Sequence, residues 1–224
     1  MRKIMVANPK GGSGKSSLAI HLASWFAQNG NPVCLGDLDR QQSSRQWLAQ
    51  RPLSLRPIKP WDIDETLQEP APAGCAIAII DTPAGLHGKS LKRLLAEVDR
   101  VVVPVTPSRF DMLASSDFFD ELAQIKAVRK ERVGVAIVGM RVDLRTQASQ
   151  QLLEFLQQFE LPLVTCIRHA QRYVQAVESG STLFDSNETA AQDRRQWQPL
   201  LEWLQKPCST AQRLATPEIR RVQR

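Results

Sequence analysis

Five short and nearly unbroken apolar runs, at residues 4–7, 33–35, 76–80, 101–105 and 133–138, recur along the chain, each separated from the next by a segment whose apolar positions follow helical spacing. Runs of this kind suit strands buried on both faces. They predict a mostly parallel sheet with helices on either side, and right-handed crossovers then give a single-domain, doubly wound α/β sandwich of three layers. The first helix is expected over 15–29, with Leu18, Leu22, Trp25 and Phe26 inward and Gly30 as its stop. Further helices are expected over 41–50, 89–97, 111–130, 146–159, 172–179 and 189–205. Trp25, Trp47, Trp197 and Trp203 fall in these helical patterns and read as packing residues. The chain has no internal repeat and no low-complexity tract.

With 224 residues and 25.1 kDa, one sizeable core is more economical than two, and the domain is expected to span 1–205. The remaining 206–224 carry Pro207, Pro217 and a net +4 of the chain's +6, with little apolar content, and read as a flexible basic tail. Such a tail is either simply solvated or adds electrostatic attraction to nucleic acid. No stretch approaches the roughly 18 apolar residues of a membrane span, and the first strand begins at once without an apolar leader, so the expected location is the cytoplasm. Cys34, Cys75, Cys166 and Cys208 are widely spaced, without a Cys-x-x-Cys pair, and read as reduced thiols rather than zinc ligands or a disulfide framework.

The chemistry begins directly after the first apolar run. Lys10-Gly11-Gly12-Ser13-Gly14-Lys15-Ser16-Ser17 reads as a phosphate-cradling loop between a strand and a helix. Its glycines let successive N–H groups face phosphate oxygens, Lys15 adds a positive charge, and Ser16 offers a hydroxyl to Mg²⁺. The expected ligand is a nucleoside triphosphate, and the fold becomes that of a P-loop NTPase. After the second run comes Gly36-Asp37-Leu38-Asp39-Arg40-Gln41, two carboxylates that either flank a Mg²⁺–phosphate site or cap the next helix. The third run ends in Asp81-Thr82-Pro83-Ala84-Gly85, which similarly reads as a metal-holding acid delivered by a buried strand or as a turn signal.

Pro9 stands where the general phosphate loop has its first glycine. Lys10, Gly11, Gly12, Gly14, Lys15 and Ser16 resemble instead the deviant Walker A loop of the ParA/MinD family of ATPases, whose second, signature lysine would be Lys10. The resemblance implies that Lys10 reaches across a nucleotide-sandwich homodimer to the partner's ATP, a cation supplied in trans as an arginine finger is. It assigns Asp39 to activating water, Asp37 to supporting the metal site and Asp81 to Mg²⁺ in a Walker B motif, although Arg40 replaces the family's usual proline. The segment 103–108 with Asp111, and Gly139-Met140-Arg141-Val142-Asp143, extend the similarity, the latter placing Met140 and Arg141 beside the adenine.

By the same resemblance, an ATP-bound dimer attaches to DNA or to a membrane. Residues 209–217 lack the apolar stripe of a membrane-binding amphipathic helix, which disfavours membrane. Arg168, Arg172, Arg194 and Arg195 occupy the region where DNA-binding relatives carry arginines, and would make sequence-independent phosphate contacts unless they only form ion pairs on a solvated face. The implied activity is Mg²⁺-dependent ATP hydrolysis by a nucleoid-associated protein. It would position a cargo, whether plasmid, chromosome or protein-based organelle, through a ParB-like or other adaptor that stimulates turnover. The alternatives are a synthetase or metal-cluster delivery enzyme on the same loop, or an ATP-gated binding protein without DNA.

Overall fold

Seven strands of the computed structural model, which describes residues 1–186 and 191–207, form one sheet in the order β3-β2-β4-β1-β5-β6-β7. Every pairing is parallel. Most of the tail expected at 206–224, with Cys208, lies outside the described residues. The strands are β1 (Arg2–Val6), β2 (Val33–Asp37), β3 (Ile58–Trp61), β4 (Ile77–Asp81), β5 (Arg100–Val105), β6 (Gly134–Met140) and β7 (Leu163–Ile167). Between and after them run α1 (Lys15–Gln28), α2 (Ser43–Ala49), α3 (Gly88–Glu97), α4 (Arg109–Gln124), α5 (Lys126–Arg129), α6 (Gln147–Leu156), α7 (Gln171–Glu178) and α8 (Ala191–Gln205). The parallel α/β sandwich read from the apolar runs is thus the observed fold.

Two apolar layers sandwich the sheet. Ile4 and Val6 of β1 and Ile79 of β4 face a layer built from α1, α2, α7 and α8, whereas Met5, Ala78 and Ile80 face α3, α4 and α6. The alternation follows from the two-residue period of a strand. In the first layer the His21 ring of α1 stacks on Trp197 of α8, 5.4 Å between centroids at 22°, and lies 5.4 Å from Tyr173 of α7. Trp197 Nε1 donates to the Tyr173 hydroxyl at 3.0 Å. Trp47, Trp197 and Trp203 are buried, as expected of packing residues.

Three elements depart from expectation. The strand β3 interrupts a polar stretch with Lys59 and Pro60, and Pro60 is tolerated because β3 lies at the sheet edge with only β2 beside it. A second edge strand, β7, packs under α8. The helix expected over 111–130 breaks at Ile125, whose backbone turns extended (ψ 126°) as its side chain enters the second core layer, leaving α4 and the single turn α5.

Candidate nucleotide site and arginine cluster

The order β2-β4-β1 brings three motifs, separated by tens of residues, to one end of the sheet. Asp37 ends β2 directly beside Asp81 of β4, and Val6 of β1 lies on the other side of Asp81. The Leu38 N–H donates to the Asp81 carbonyl, and the Thr82 hydroxyl donates to the Val6 carbonyl. Ligands of open parallel sheets bind beyond this carboxyl edge.

From Val6 the chain enters the phosphate loop. Gly12 and Gly14 adopt left-handed backbone (φ 79° and 93°) that a side chain would strain, and the space a Cβ would occupy at Gly11 and Gly12 is open. An open concavity of backbone above a helix start is what a phosphate chain requires. Lys15 is buried while Lys10, on the same loop, is exposed. The Lys15 ammonium donates to the Lys10 carbonyl at 2.9 Å, and the Ser13 hydroxyl donates to that same oxygen. Burial lowers the Lys15 pKa, and the charges of Asp81 and Asp39 work against that loss, so both carboxylates share the electrostatic field of this lysine. Ser16 and Ser17, both half-buried, begin α1, and the Ser17 carbonyl accepts from His21 Nδ1.

Asp81 is fully buried, and neither of its carboxylate oxygens has a hydrogen-bond partner. Burial drives its pKa up to about 7 and Asp37 adds to the rise, while Ser16, Ser44 and Lys15 oppose it. A buried carboxylate with no close hydrogen bond, beside two serine hydroxyls and a lysine, is a donor set suited to a hard cation, and Mg²⁺ takes few protein ligands of this kind. The residues present therefore fit the metal the fold implies.

The two aspartates after β2 divide the readings offered for them. Asp37 accepts from the Asp39 N–H, from the Ser44 N–H and hydroxyl at 3.0 and 2.8 Å, and from the Arg45 N–H. It thus ties down the start of α2 directly beside Asp81. Asp39 is half-buried and accepts a local bond from the Gln41 N–H.

A residue the sequence reading passed over fixes the loop itself. Asn8 is fully buried; its amide donates to the Pro104 carbonyl at 2.8 Å and to the Ser115 hydroxyl at 3.2 Å, and its carbonyl accepts from the Lys10 N–H at 2.8 Å. It clamps the phosphate loop to β5 and α4. The signal was present: an amide residue extends an apolar strand into the interior, where it must be satisfied. Pro9, the departure from the general loop, offers its carbonyl to the Gly85 N–H at 2.8 Å and so touches the segment after Asp81. In the region expected beside adenine, Met140 is buried, and its terminal methyl would lie 3.3 Å from a Cβ at Gly14. Arg141 is exposed with φ 57°.

The four arginines expected at DNA do not share one environment. Arg168, following β7, donates through Nε to Asp193 Oδ1 at 2.9 Å, and Arg172 of α7 forms an ion pair through Nη1 with Asp193 Oδ2 at 3.2 Å. Arg194 and Arg195 follow Asp193 on α8 and are exposed. Arg172 thus pairs with Asp193 rather than within its own helix.

The profile of the CobQ/CobB/MinD/ParA nucleotide binding domain matches residues 4–183. The chain is 25% identical over 189 residues to the maintenance of carboxysome distribution protein A of Halothiobacillus neapolitanus, covering 81% of this chain and 86% of that protein. It is 25% identical over 143 residues to protein ParA of Rhizobium radiobacter, covering 62% and 64%. Among solved structures, apo McdA of Cyanothece superposes with a TM-score of 0.73 at 15% identity, covering 91% of this chain and 99% of that one. A plasmid partition protein from Borrelia burgdorferi bound to AMPPNP superposes with 0.68 at 18% identity, covering 90% and 97%. The phosphate loop, the two strand-end aspartates and the match over most of the chain together make this protein a member of the CobQ/CobB/MinD/ParA family of P-loop nucleotide-binding proteins.

Proposed function

We propose that the protein is a ParA-like ATPase that dimerises on ATP, binds DNA without sequence preference in that state, and positions a cargo through an adaptor that stimulates hydrolysis. The observation that carries this reading is the division of labour between the two lysines of one loop. Lys15 is buried and donates to the Lys10 carbonyl, whereas the Lys10 side chain, on the same loop, is exposed. An exposed cation on the phosphate loop, not needed to hold the loop together, supports the reading that it serves a second copy facing that site.

Within each site the residues divide the work as follows. The N–H groups of 11–17 hold the phosphates, Lys15 neutralises their charge, and the Ser16 hydroxyl and the buried Asp81 carboxylate would hold Mg²⁺. When bound, Mg²⁺ supplies charge stabilisation to the phosphate oxygens and a template for in-line attack. Asp39, on the segment between Asp37 and α2, orients the attacking water. Asp37 fixes that segment through its four bonds to 39–45. The adenine lies along the exposed side of Arg141, with Met140 supporting the loop from beneath. Arg168, Arg172, Arg194 and Arg195 provide the DNA contact.

The test is the solution mass of the protein, and its binding to random-sequence DNA, without nucleotide, with ADP and with ATP. A doubling of mass with ATP alone, accompanied by salt-sensitive DNA binding and lost in Lys10→Ala, is the expected result. An ATP-bound monomer would overturn the dimeric switch. An ATP dimer indifferent to DNA would overturn the DNA assignment alone.

A further inference from the structure

Asp193 is fully buried in the first turn of α8, yet two guanidiniums converge on it from different elements. Arg168 reaches it from the end of β7 through Nε (2.9 Å) and Nη2 (3.5 Å), and Arg172 reaches it from the first turn of α7 at 3.2 Å. The Arg168 backbone N–H is separately held by the Gln196 side chain, also on α8. Neutralising one buried carboxylate requires one cation. Among the described residues the second leaves a surplus positive charge, and the side chains of Arg168 and Arg172 remain 30% and 46% exposed. Each guanidinium carries five N–H donors, so two arginines that share one carboxylate keep most of theirs for an outside acceptor. Arg194 and Arg195, next in sequence to Asp193 and exposed, add two more cations to the same stretch of surface.

We infer that Asp193 is the positioning residue of the DNA-contacting surface: from the interior it fixes the spacing and orientation of Arg168 and Arg172, so that their outward donors meet the phosphates of a nucleic-acid backbone as a preformed pair. The inference rests on the DNA reading given above. Long side chains lose rotamer freedom when they bind, and anchoring both guanidiniums beforehand removes much of that loss. Asp193 also links α7 and α8 to β7, so the pair sits on the body of the fold rather than on a loose helical face.

The sign of one experiment separates this role from plain electrostatics. Asp193→Asn removes a negative charge from a phosphate-binding surface. Charge alone therefore predicts equal or tighter DNA binding, whereas positioning predicts weaker binding. The measurement is affinity for random-sequence duplex DNA in the ATP state across a salt series, beside binding of a fluorescent ATP analogue as a control for the fold. The expected result is a loss of about tenfold or more at constant salt, with the slope of log affinity against log salt shallower by roughly one to two, since each neutralised phosphate contributes about 0.9. ATP binding should be unchanged. Arg168→Lys keeps the charge but lacks the Nε donor, and it should lose affinity in the same direction; it carries the test alone should Asp193→Asn fail to fold. Asp193→Asn binding DNA as tightly as the parent or more so, or Arg168→Lys binding with parental affinity and slope, overturns the positioning role while the DNA reading stands. A parent protein that binds no DNA in any nucleotide state overturns both.

Discussion

Acid should loosen this protein through a single buried ring. His21 is fully buried on α1 among Tyr173, Phe184 and Trp197, with Nδ1 bonded to the Ser17 carbonyl at 2.7 Å and Nε2 without a partner. Burial pushes its pKa down to about 4 from an ordinary 6.5, against the opposing pull of the Ser17 carbonyl and the Asp185 charge. Above pH 6.5 the ring is neutral in both folded and unfolded chains and titration contributes nothing. As pH falls below 6.5 the unfolded chain takes up the proton first, so stability is lost down to the folded pKa and then levels off. At pH 4.5 the loss from this one group is about 2.5 kcal/mol, taking 1.36 kcal/mol per pH unit between the two pKa values. His21→Phe keeps an aromatic ring of similar size and removes the titration. At pH 7.5 it gives up one hydrogen bond, worth about 1 kcal/mol, and relieves an unpartnered buried nitrogen, worth about 1–3 kcal/mol, so the variant should be close to parental stability or above it. The assay is urea unfolding of nucleotide-free parent and variant at pH 7.5 and 4.5. All other groups titrate alike in the two proteins, so the variant should gain about 2.5 kcal/mol on the parent between the two conditions. A difference that stays constant within about 0.5 kcal/mol would show that the ring does not stay neutral on folding, and would refute the reasoning.

The nucleotide site gives a prediction of the opposite sign. Asp81 is a carboxyl whose pKa is raised to about 7, so the folded chain holds its proton more tightly than the unfolded one, and stability falls as pH rises from about 4 to 7. Asp81→Asn should therefore stabilise the nucleotide-free protein at pH 8, by up to roughly 4 kcal/mol, while the extra thermal stability gained from Mg²⁺ over nucleotide alone disappears. Thermal unfolding at pH 8 with and without Mg²⁺–ATP checks both, and a variant still stabilised by Mg²⁺ would move the metal to another residue. A third change tests the hub beneath α1. Asp185 accepts from Arg51 at 2.7 and 3.0 Å, from Ser24 and Gln28 at 2.7 Å each, and from Thr182, with the Arg51 and Asp185 side chains only 4% and 2% exposed. Asp185→Ala leaves the guanidinium buried and unpaired and should cost about 3–5 kcal/mol by urea unfolding, and Arg51→Met in the same chain should recover much of it. A double variant no more stable than Asp185→Ala would argue against the charge pair as the cause.

What the sequence made legible, and what it did not, divides along physical lines. The apolar runs predicted the central strands because strands buried on both faces are nearly continuous in composition, and such a pattern is local. The edge strand β3 escaped notice because an edge accepts Lys59 and Pro60 where a central strand would not. The phosphate loop could be read because its glycines, lysine and serine act together within a few residues. Asn8 was not read because its significance lies in Pro104 and Ser115, about a hundred positions away. The same holds for Asp185, whose partners lie on α1 and after α2, and for Asp193, which joins Arg168 after β7 and Arg172 on α7 from α8. Buried polar residues are the least legible class, since each must be satisfied but the sequence does not say by what.

The nucleotide site escapes that difficulty because sheet topology does the pairing. Once β2, β4 and β1 are adjacent and parallel, any acid placed last on β2 or β4 arrives at the edge where β1 delivers the phosphate loop, and the register makes Asp37 and Asp81 direct neighbours. The two carboxylates and the buried lysine beside them are not stabilised equally. Asp37 is satisfied by the start of α2 and Lys15 by the Lys10 carbonyl, whereas Asp81 makes no close hydrogen bond among the described residues and has only the weaker pull of Ser16, Ser44 and Lys15. On the reading proposed above, Asp81 is where Mg²⁺ would be held, with the phosphates over the open backbone of Gly11 and Gly12. The carbonyl of Lys10 is occupied holding Lys15 in place, so the loop that would bind the phosphates also fixes where the free ammonium of Lys10 begins its reach. On the proposed dimeric reading, replacing Lys10 by alanine keeps that carbonyl and should therefore spare ATP binding by the single copy while abolishing the doubling of solution mass with ATP.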